Sequence, residues 1–236
     1  MTQCSSSLLH IAFYAGNINI IRALLAKGLQ LTQVTQDGLL PIYHVFQRES
    51  SPLSAPDIEL LRLYFSYSSD EVDLLEQETP VGWTLLHRCA AYGTEDALQY
   101  LLDLGASTTV QSKERKWTPI FAAVAHNPSV RVLEILLKHS SPEAHLHTDV
   151  RGWTLLHIAA ATGKSNFVEL LLKHGSDENA LSLACDSVYV PENMRNRRLT
   201  PVEVARYSDP PALESYTIGL DRFKRSVSIH RHDCVA

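Results

Sequence analysis

Residues 149–175 predict the fold: Asp149-Val-Arg-Gly-Trp-Thr-Leu-Leu-His-Ile-Ala-Ala-Ala-Thr-Gly163 is followed by Lys164-Ser-Asn-Phe-Val-Glu-Leu-Leu-Leu-Lys-His-Gly175. The first half is rich in alanine, which lets helices approach closely, and the second carries leucines at helical spacing. We expect the Thr154 hydroxyl to cap the first helix. Gly163 would allow the turn between the helices, and Gly175 would end the second helix in the left-handed conformation. The pattern therefore predicts a helix–turn–helix unit.

Related segments recur along the chain. Gly82-Trp-Thr-Leu-Leu-His-Arg-Cys-Ala-Ala-Tyr-Gly93 and Trp117-Thr-Pro-Ile-Phe-Ala-Ala-Val-Ala-His126 repeat the alanine-rich half, and Ser7-Leu-Leu-His-Ile-Ala-Phe-Tyr-Ala-Gly16 is a copy near the N-terminus. Each copy is followed by a leucine-rich run. A single helix pair cannot bury its apolar face, so neighbouring units must stack. The sequence therefore predicts an all-α solenoid.

The repeat register divides the chain. We predict an array over residues 1–207, with units that start near residues 7, 40, 84, 118, 154 and 200. Two unit spacings are long, and they place insertions at about residues 47–56 and 181–198. A C-terminal cap with a flexible tail is expected over residues 208–236.

These repeated segments resemble the ankyrin repeat, whose signature is T-P-L-H-x-A-A, then G, then an apolar run that ends in L-L and G-A. The resemblance spans about Ser5–Tyr207. It implies an all-α ankyrin-repeat solenoid of about six helix–turn–helix units with finger loops. It also implies that the chain is an adaptor or scaffold that presents a concave surface to a partner protein.

Composition narrows the class of partner. The 236 residues are 45% hydrophobic and 20% charged, with a net charge of −5. That balance gives no electrostatic reason to expect nucleic acid or an anionic membrane as a partner. Four cysteines lie far apart without a CxxC pair, which is typical of a reducing compartment. We expect a monomer in the cytoplasm or nucleus, with a protein as its partner.

No sequence motif indicates a catalytic site. Gly163-Lys164-Ser165 resembles the end of a phosphate-binding loop, but Ile158 stands where that loop needs a glycine. His10, His87 and His157 share one repeat position, so we interpret them as structural residues that bond nearby loop backbone. We therefore predict no catalytic residues, no metal site and no cofactor.

The tryptophans suggest a contact surface. Trp83, Trp117 and Trp153 each precede the same threonine of the repeat. An aromatic ladder on the concave side would suit a protein partner, because tryptophan is enriched at binding hot spots. The alternative is that each indole packs against the neighbouring finger. The predicted contact residues comprise these tryptophans and Tyr92, His126, Arg115 and Arg151.

Further hypotheses concern modification and the second insertion. The resemblance implies that Asn179 lies where ankyrin proteins can be hydroxylated, and Arg225 precedes Ser228 by three residues, a pattern that basic-directed kinases read. The alternatives are a turn asparagine and a plain basic tail. The other functional class left open is an enzyme or enzyme regulator, built on residues 181–198, which contain Cys185, Asp186, Tyr189 and Glu192.

Overall fold

Helices make up the regular structure of this chain. A computed structural model describes residues 8–47, 57–67, 71–141, 144–186, 188–208 and 210–233. The α-helices are α1 Leu8–Ala15, α2 Ile18–Ala26, α3 Asp57–Ser66, α4 Glu71–Glu76, α5 Leu85–Tyr92, α6 Glu95–Asp103, α7 Pro119–His126, α8 Val130–His139, α9 Leu155–Ala161, α10 Ser165–Lys173, α11 Pro201–Ser208 and α12 Pro210–Asp233. Short 3-10 helices span Pro41–Gln47, Ala144–Leu146 and Glu192–Met194. Within these ranges there are no strands, which confirms the all-α class.

The helices stack in two layers. One layer consists of α1, the 3-10 helix Pro41–Gln47, α5, α7, α9 and α11, each in contact with the next. The other layer continues from α3 through α6, α8, α10 and α12. The first helices of the pairs begin one residue after each predicted unit start. The described residues thus form a solenoid of six helical pairs.

Residue size explains the spacing of the layers. Ala90, Ala123 and Ala159 are buried in the first layer, where small side chains let neighbouring helices approach. In the second layer, leucines such as Leu101 and Leu136 are buried between units. Gly175 has a φ of +85° at the end of α10, as the sequence predicts.

The C-terminal part of the described chain is one long helix. Residues 210–233 form the 24-residue helix α12, which packs on α10. Gly219 lies at the crossing, where a Cβ atom would be 2.5 Å from the Ser165 carbonyl oxygen. Tyr216 is buried in the same contact region. α12 therefore covers the last unit of the stack. The predicted insertion at residues 47–56 lies almost wholly outside the described residues.

Buried histidines link successive units. In the third unit, the Thr84 amide donates to His87 Nδ1 at 3.1 Å, so the ring proton is on Nε2, which donates to the Trp117 carbonyl oxygen at 2.9 Å. His157 makes the equivalent bond to the Leu199 carbonyl oxygen at 2.9 Å, and His10 Nε2 lies 3.0 Å from the Leu39 carbonyl oxygen. Each bond joins a first helix to the next finger. The structural role predicted for these histidines is confirmed.

The bonding of His87 predicts a pH dependence of stability. Burial lowers the pKa of His87 to about 4 from its ordinary value of 6.5. Between these values the unfolded chain binds more protons, so the free energy of unfolding falls as pH falls, by up to about 3 kcal/mol from this group. His87→Gln keeps one acceptor and one donor but does not titrate. We expect this variant to lose less stability than wild type between pH 6.5 and 4 in urea unfolding.

His157 provides an independent repetition of the experiment, because burial lowers its pKa as well. His157→Gln is expected to flatten the same part of the pH profile. If the free energies of unfolding of wild type and both variants decline in parallel over this range, the neutral, two-bonded histidine is not the cause.

Candidate functional site

Fingers project between successive helical pairs, and each is closed by one short polar side chain. In the 79–83 finger, the Thr79 amide donates to the Trp83 carbonyl oxygen at 2.8 Å, and the Trp83 amide donates to Thr79 Oγ1 at 3.0 Å. The same paired closure occurs at four other places. They are Thr35 with Leu39, Ser112 with Trp117, Asp149 with Trp153, and Ser182 with Leu199.

Asp149 carries the only charge among these closing side chains, and it is fully bonded. Its Oδ1 accepts the amides of Arg151 and Trp153 at 2.8 and 3.1 Å. Its Oδ2 accepts Arg151 Nε at 2.8 Å and Trp117 Nε1 at 3.2 Å, and it lies 2.6 Å from Arg151 Nη2. The carboxylate therefore joins two fingers and neutralises a buried arginine.

The structure buries three of the seven predicted contact residues. Trp117 and Trp153 are 4% exposed, and Arg151 is 5% exposed. The Arg151 guanidinium carbon lies 3.8 Å from the centroid of Trp153, whose other neighbour is the stacked ring of His157. Arg151 is therefore held inside the fold by Asp149, although it is one of the predicted contact residues. For Trp117 and Trp153 the burial favours the alternative in which each indole packs against a finger.

The other predicted residues lie together at an open pocket of about 320 Å³ between the third and fourth units. Tyr92 is 49% exposed, His126 is exposed, and Trp83 and Arg115 are half-buried. The His126 ring centroid is 5.4 Å from Tyr92, 5.9 Å from Trp117 and 6.3 Å from Trp83. The pocket is lined by Val81, Trp83, Arg88, Tyr92, Ser112, Glu114, Arg115, Trp117 and His126.

Positive charge surrounds this pocket. Burial lowers the pKa of His126, and the charges of Lys164 and Arg115 lower it further. Lys164 donates to the carbonyl oxygens of Val124 and Asn127 at 2.8 Å each, at the C-terminal end of α7. Burial lowers the pKa of Lys164 to about 8. His126 is therefore held neutral in a positive field, and its ring can serve as an aromatic contact.

A groove adjoins the pocket on the side of the interhelical turns. It has a volume of about 590 Å³ and runs between Ala91–Asp96 and His126–Ser129. Tyr92 and His126 line both concavities, so they form the ridge between them. Asn127 fixes the floor, because its Nδ2 donates to the carbonyl oxygens of Ala90 and Gly93 at 3.0 and 3.1 Å.

The second insertion extends the fifth finger towards the pocket. The Ser182–Leu199 closure is intact, so the inserted residues leave from the finger tip. Tyr189 in this insertion lies 5.0 Å from the Arg115 guanidinium carbon, which also lies 4.9 Å from the Trp117 ring. Arg115 is therefore sandwiched between two aromatic rings. None of the four residues named for the enzyme hypothesis, Cys185, Asp186, Tyr189 and Glu192, is among the residues that line the pocket.

The remaining predicted residues lie elsewhere. Asn179 is exposed in the turn after α10, where its backbone amide donates to Asp177 Oδ1 at 2.8 Å. Ser228 lies in α12, but its side chain is outside the described residues. Both modifications stay predictions. Across the ranges that the structure describes, no group of three or more His, Cys, Asp or Glu side chains could hold a metal ion, and no helix is long and apolar enough to cross a membrane.

Arg88 is one of four pocket residues that the sequence interpretation missed, with Val81, Ser112 and Glu114. It follows the repeat histidine, where the other histidine-bearing units have Ile11 and Ile158. A charged residue at this otherwise apolar position is a sequence signal that could have found it. Its guanidinium carbon lies 5.6 Å from the Trp83 ring centroid.

Comparison with known proteins identifies related repeats. Matches to the family model described as ankyrin repeats (3 copies) cover residues 53–145 and 86–182, together more than half of the chain. Ankyrin repeat and SOCS box protein 3 of Bos taurus is 30% identical over 172 residues, which are 73% of this chain and 31% of that protein. The human protein of the same name is 37% identical over 95 residues, 40% of this chain and 18% of its own. The chain thus spans less than a third of these relatives.

Solved structures share the fold. The human ASB11 ankyrin repeat domain is 20% identical with a TM-score of 0.66, covering 91% of this chain and 84% of that one. A complex of a predatory endopeptidase from Bdellovibrio bacteriovorus with an immunity protein contains a chain that is 18% identical with a TM-score of 0.68, covering 90% of this chain and 98% of that one. At these identities the likeness concerns the fold alone.

The bonding of Asp149 predicts a large stability cost on its removal. Asp149→Ala leaves Arg151 and the Trp117 indole N–H buried without their acceptor, and breaking a buried ion pair in this way costs about 3–5 kcal/mol. We expect a loss of this size in the free energy of unfolding, measured by urea titration with circular dichroism. Asp186→Ala is the matched control, because Asp186 is 69% exposed and pairs with Arg195 only at 3.6 Å. Equal losses in the two variants would contradict the role of Asp149.

Proposed function

The chain belongs to the ankyrin-repeat family, whose domains generally bind proteins, and we propose that it is an adaptor or scaffold that binds a partner protein through the pocket between its third and fourth units. It does this without catalysis of its own. The partner contacts Trp83, Tyr92, His126 and Arg115. Trp117, Trp153 and Arg151 support that surface from beneath by holding the fingers in place.

The observation that carries this proposal is the exposure of aromatic rings at the pocket. Nearly half of the Tyr92 side chain is accessible, beside the exposed ring of His126. Exposed aromatic rings that cluster around a concavity are typical of protein interfaces, because they bury a large apolar area at a low cost in side-chain entropy. The backbone next to both rings is also held in place, because Asn127 Nδ2 donates to the Gly93 carbonyl oxygen beside Tyr92 and Lys164 donates to the Asn127 carbonyl oxygen beside His126.

One solved structure of similar fold supports the proposal that the chain binds a protein. The similar structure from Bdellovibrio bacteriovorus is a complex of two proteins. The insertion does not favour the enzyme hypothesis, because Tyr189 and Arg195 make packing and backbone contacts there. The net charge of −5 gives no support for nucleic acid as the partner.

The proposal predicts that the aromatic ridge is needed for partner capture. We expect Tyr92→Ala combined with His126→Ala to reduce recovery of a stoichiometric partner by about tenfold or more in affinity purification with mass spectrometry, because truncating hot-spot rings costs about 1.4 kcal/mol or more. Both side chains are exposed, so circular dichroism should show an intact fold.

Tyr67→Ala is the matched control. Tyr67 is a tyrosine of similar exposure, 54%, that lies after α3 and away from the pocket. The control should recover the partner as wild type does. A partner that is retained by the folded ridge variant would place binding elsewhere on the molecule and would overturn the proposed site.

A further inference from the structure

Two guanidinium groups at the pocket have no carboxylate partner. Among the residues that the structure describes, neither Arg88 nor Arg115 forms an ion pair, whereas Arg151 pairs with Asp149 at 2.6 Å. The Nε atom of Arg88 is also buried without an acceptor. A buried donor on a charged group that lacks an acceptor is costly to the free protein. Because both side chains line the pocket and neither is paired with a carboxylate, these two arginines can accept an anion there.

The arrangement of the aromatic rings also favours a negatively charged group of the partner over a cation. The Arg88 guanidinium carbon lies 5.6 Å from the Trp83 ring, and that of Arg115 lies 4.9 Å from the Trp117 ring. Since cations of the protein already lie over these two indoles, the rings do not form an empty cage for a cation of the partner. The one carboxylate that lines the pocket, Glu114, is exposed. The charge balance at the pocket is positive, although the whole chain has a net charge of −5.

We propose that this pocket recognises the carboxylate of an aspartate or glutamate side chain in the partner protein, bound by Arg88 and Arg115, with an adjacent apolar side chain packed on Tyr92 and His126. The inference rests on the proposed function and names the chemistry of the anchor at that site. The planar guanidinium is suited to the task, because its parallel N–H groups match the two oxygens of a carboxylate.

Pocket size agrees with an anchor of this kind. A volume of about 320 Å³ is at the lower end of the range of small-ligand pockets, enough for an acidic side chain and part of its neighbour. Tyr189 and Trp117 hold Arg115 between them, so its guanidinium is restrained before the partner arrives. A restrained side chain loses less entropy on binding.

The test uses a phage-displayed library of random linear peptides, selected on the full chain. We expect the enriched peptides to share an aspartate or glutamate next to an apolar residue. Synthetic copies in which that acid is changed to its amide should bind about tenfold more weakly or worse, because the amide offers the guanidinium groups one acceptor oxygen and no negative charge. Arg88→Gln and Arg115→Gln should weaken the parent peptide by a similar factor and remove the preference for acid over amide.

Arg131→Gln is the matched control, because Arg131 is an exposed arginine on α8 that pairs with Glu134. It should bind the parent peptide as wild type does. Peptides that depend on Tyr92 and His126, but bind acid and amide forms equally, would overturn the acidic anchor and leave the proposed function standing. Enrichment of peptides that share a lysine instead of an acid would also overturn the acidic anchor and leave the proposed function standing. Peptides that ignore the ridge variant, or the absence of any enriched peptide, would overturn the proposed function and the anchor together.

Discussion

The bond from a buried histidine to the next finger sets the spacing of the units. His87 and His157 each receive a threonine amide on one side of the ring and donate to the following finger on the other. Only the neutral imidazole can accept a hydrogen bond at one ring nitrogen and donate one at the other. Burial favours this neutral form, so the burial of the ring agrees with its two bonds. Because each bond fixes the base of a finger relative to a helix, the positions of Trp117 and Leu199 follow from it.

Two units without this histidine have different side chains at its position. The fourth unit has Phe121, and there the link to the next finger is made by the Trp117 indole, which donates to Asp149 at 3.2 Å. The sixth unit has Glu203, whose carboxylate accepts the Thr200 amide of the same unit at 2.8 Å. The position is fully buried at His87, His157 and Phe121 but only half-buried at Glu203. The spacing of the fingers therefore does not require a histidine in every unit.

The repeat periodicity of the sequence predicted most of the fold but few features of the pocket. Spacing of threonine, alanine and glycine was enough to predict helical pairs, because these residues act within one unit or between neighbours at a fixed register. The exposure of Trp83 compared with Trp117 and Trp153 was not predictable in this way. It depends on which finger side chains contact each ring: Asp149 of the next finger bonds the Trp117 indole, and Arg151 of the same finger lies over the Trp153 ring.

Arg115 and Arg151 occupy similar positions in two fingers, but only Arg151 is held inside the fold by a carboxylate. Arg115 and Arg151 both stand two residues before a tryptophan. In the 149–153 finger the closing residue is Asp149, whose carboxylate draws Arg151 into the interior. In the 112–117 finger the closing residue is Ser112, which closes the turn equally well but offers no negative charge. Arg115 therefore remains half-exposed and unpaired in the described part of the chain, beside Arg88. The two fingers differ in length by one residue as well as in the charge of the closing residue, and the arginine is drawn inside only where that residue is an aspartate.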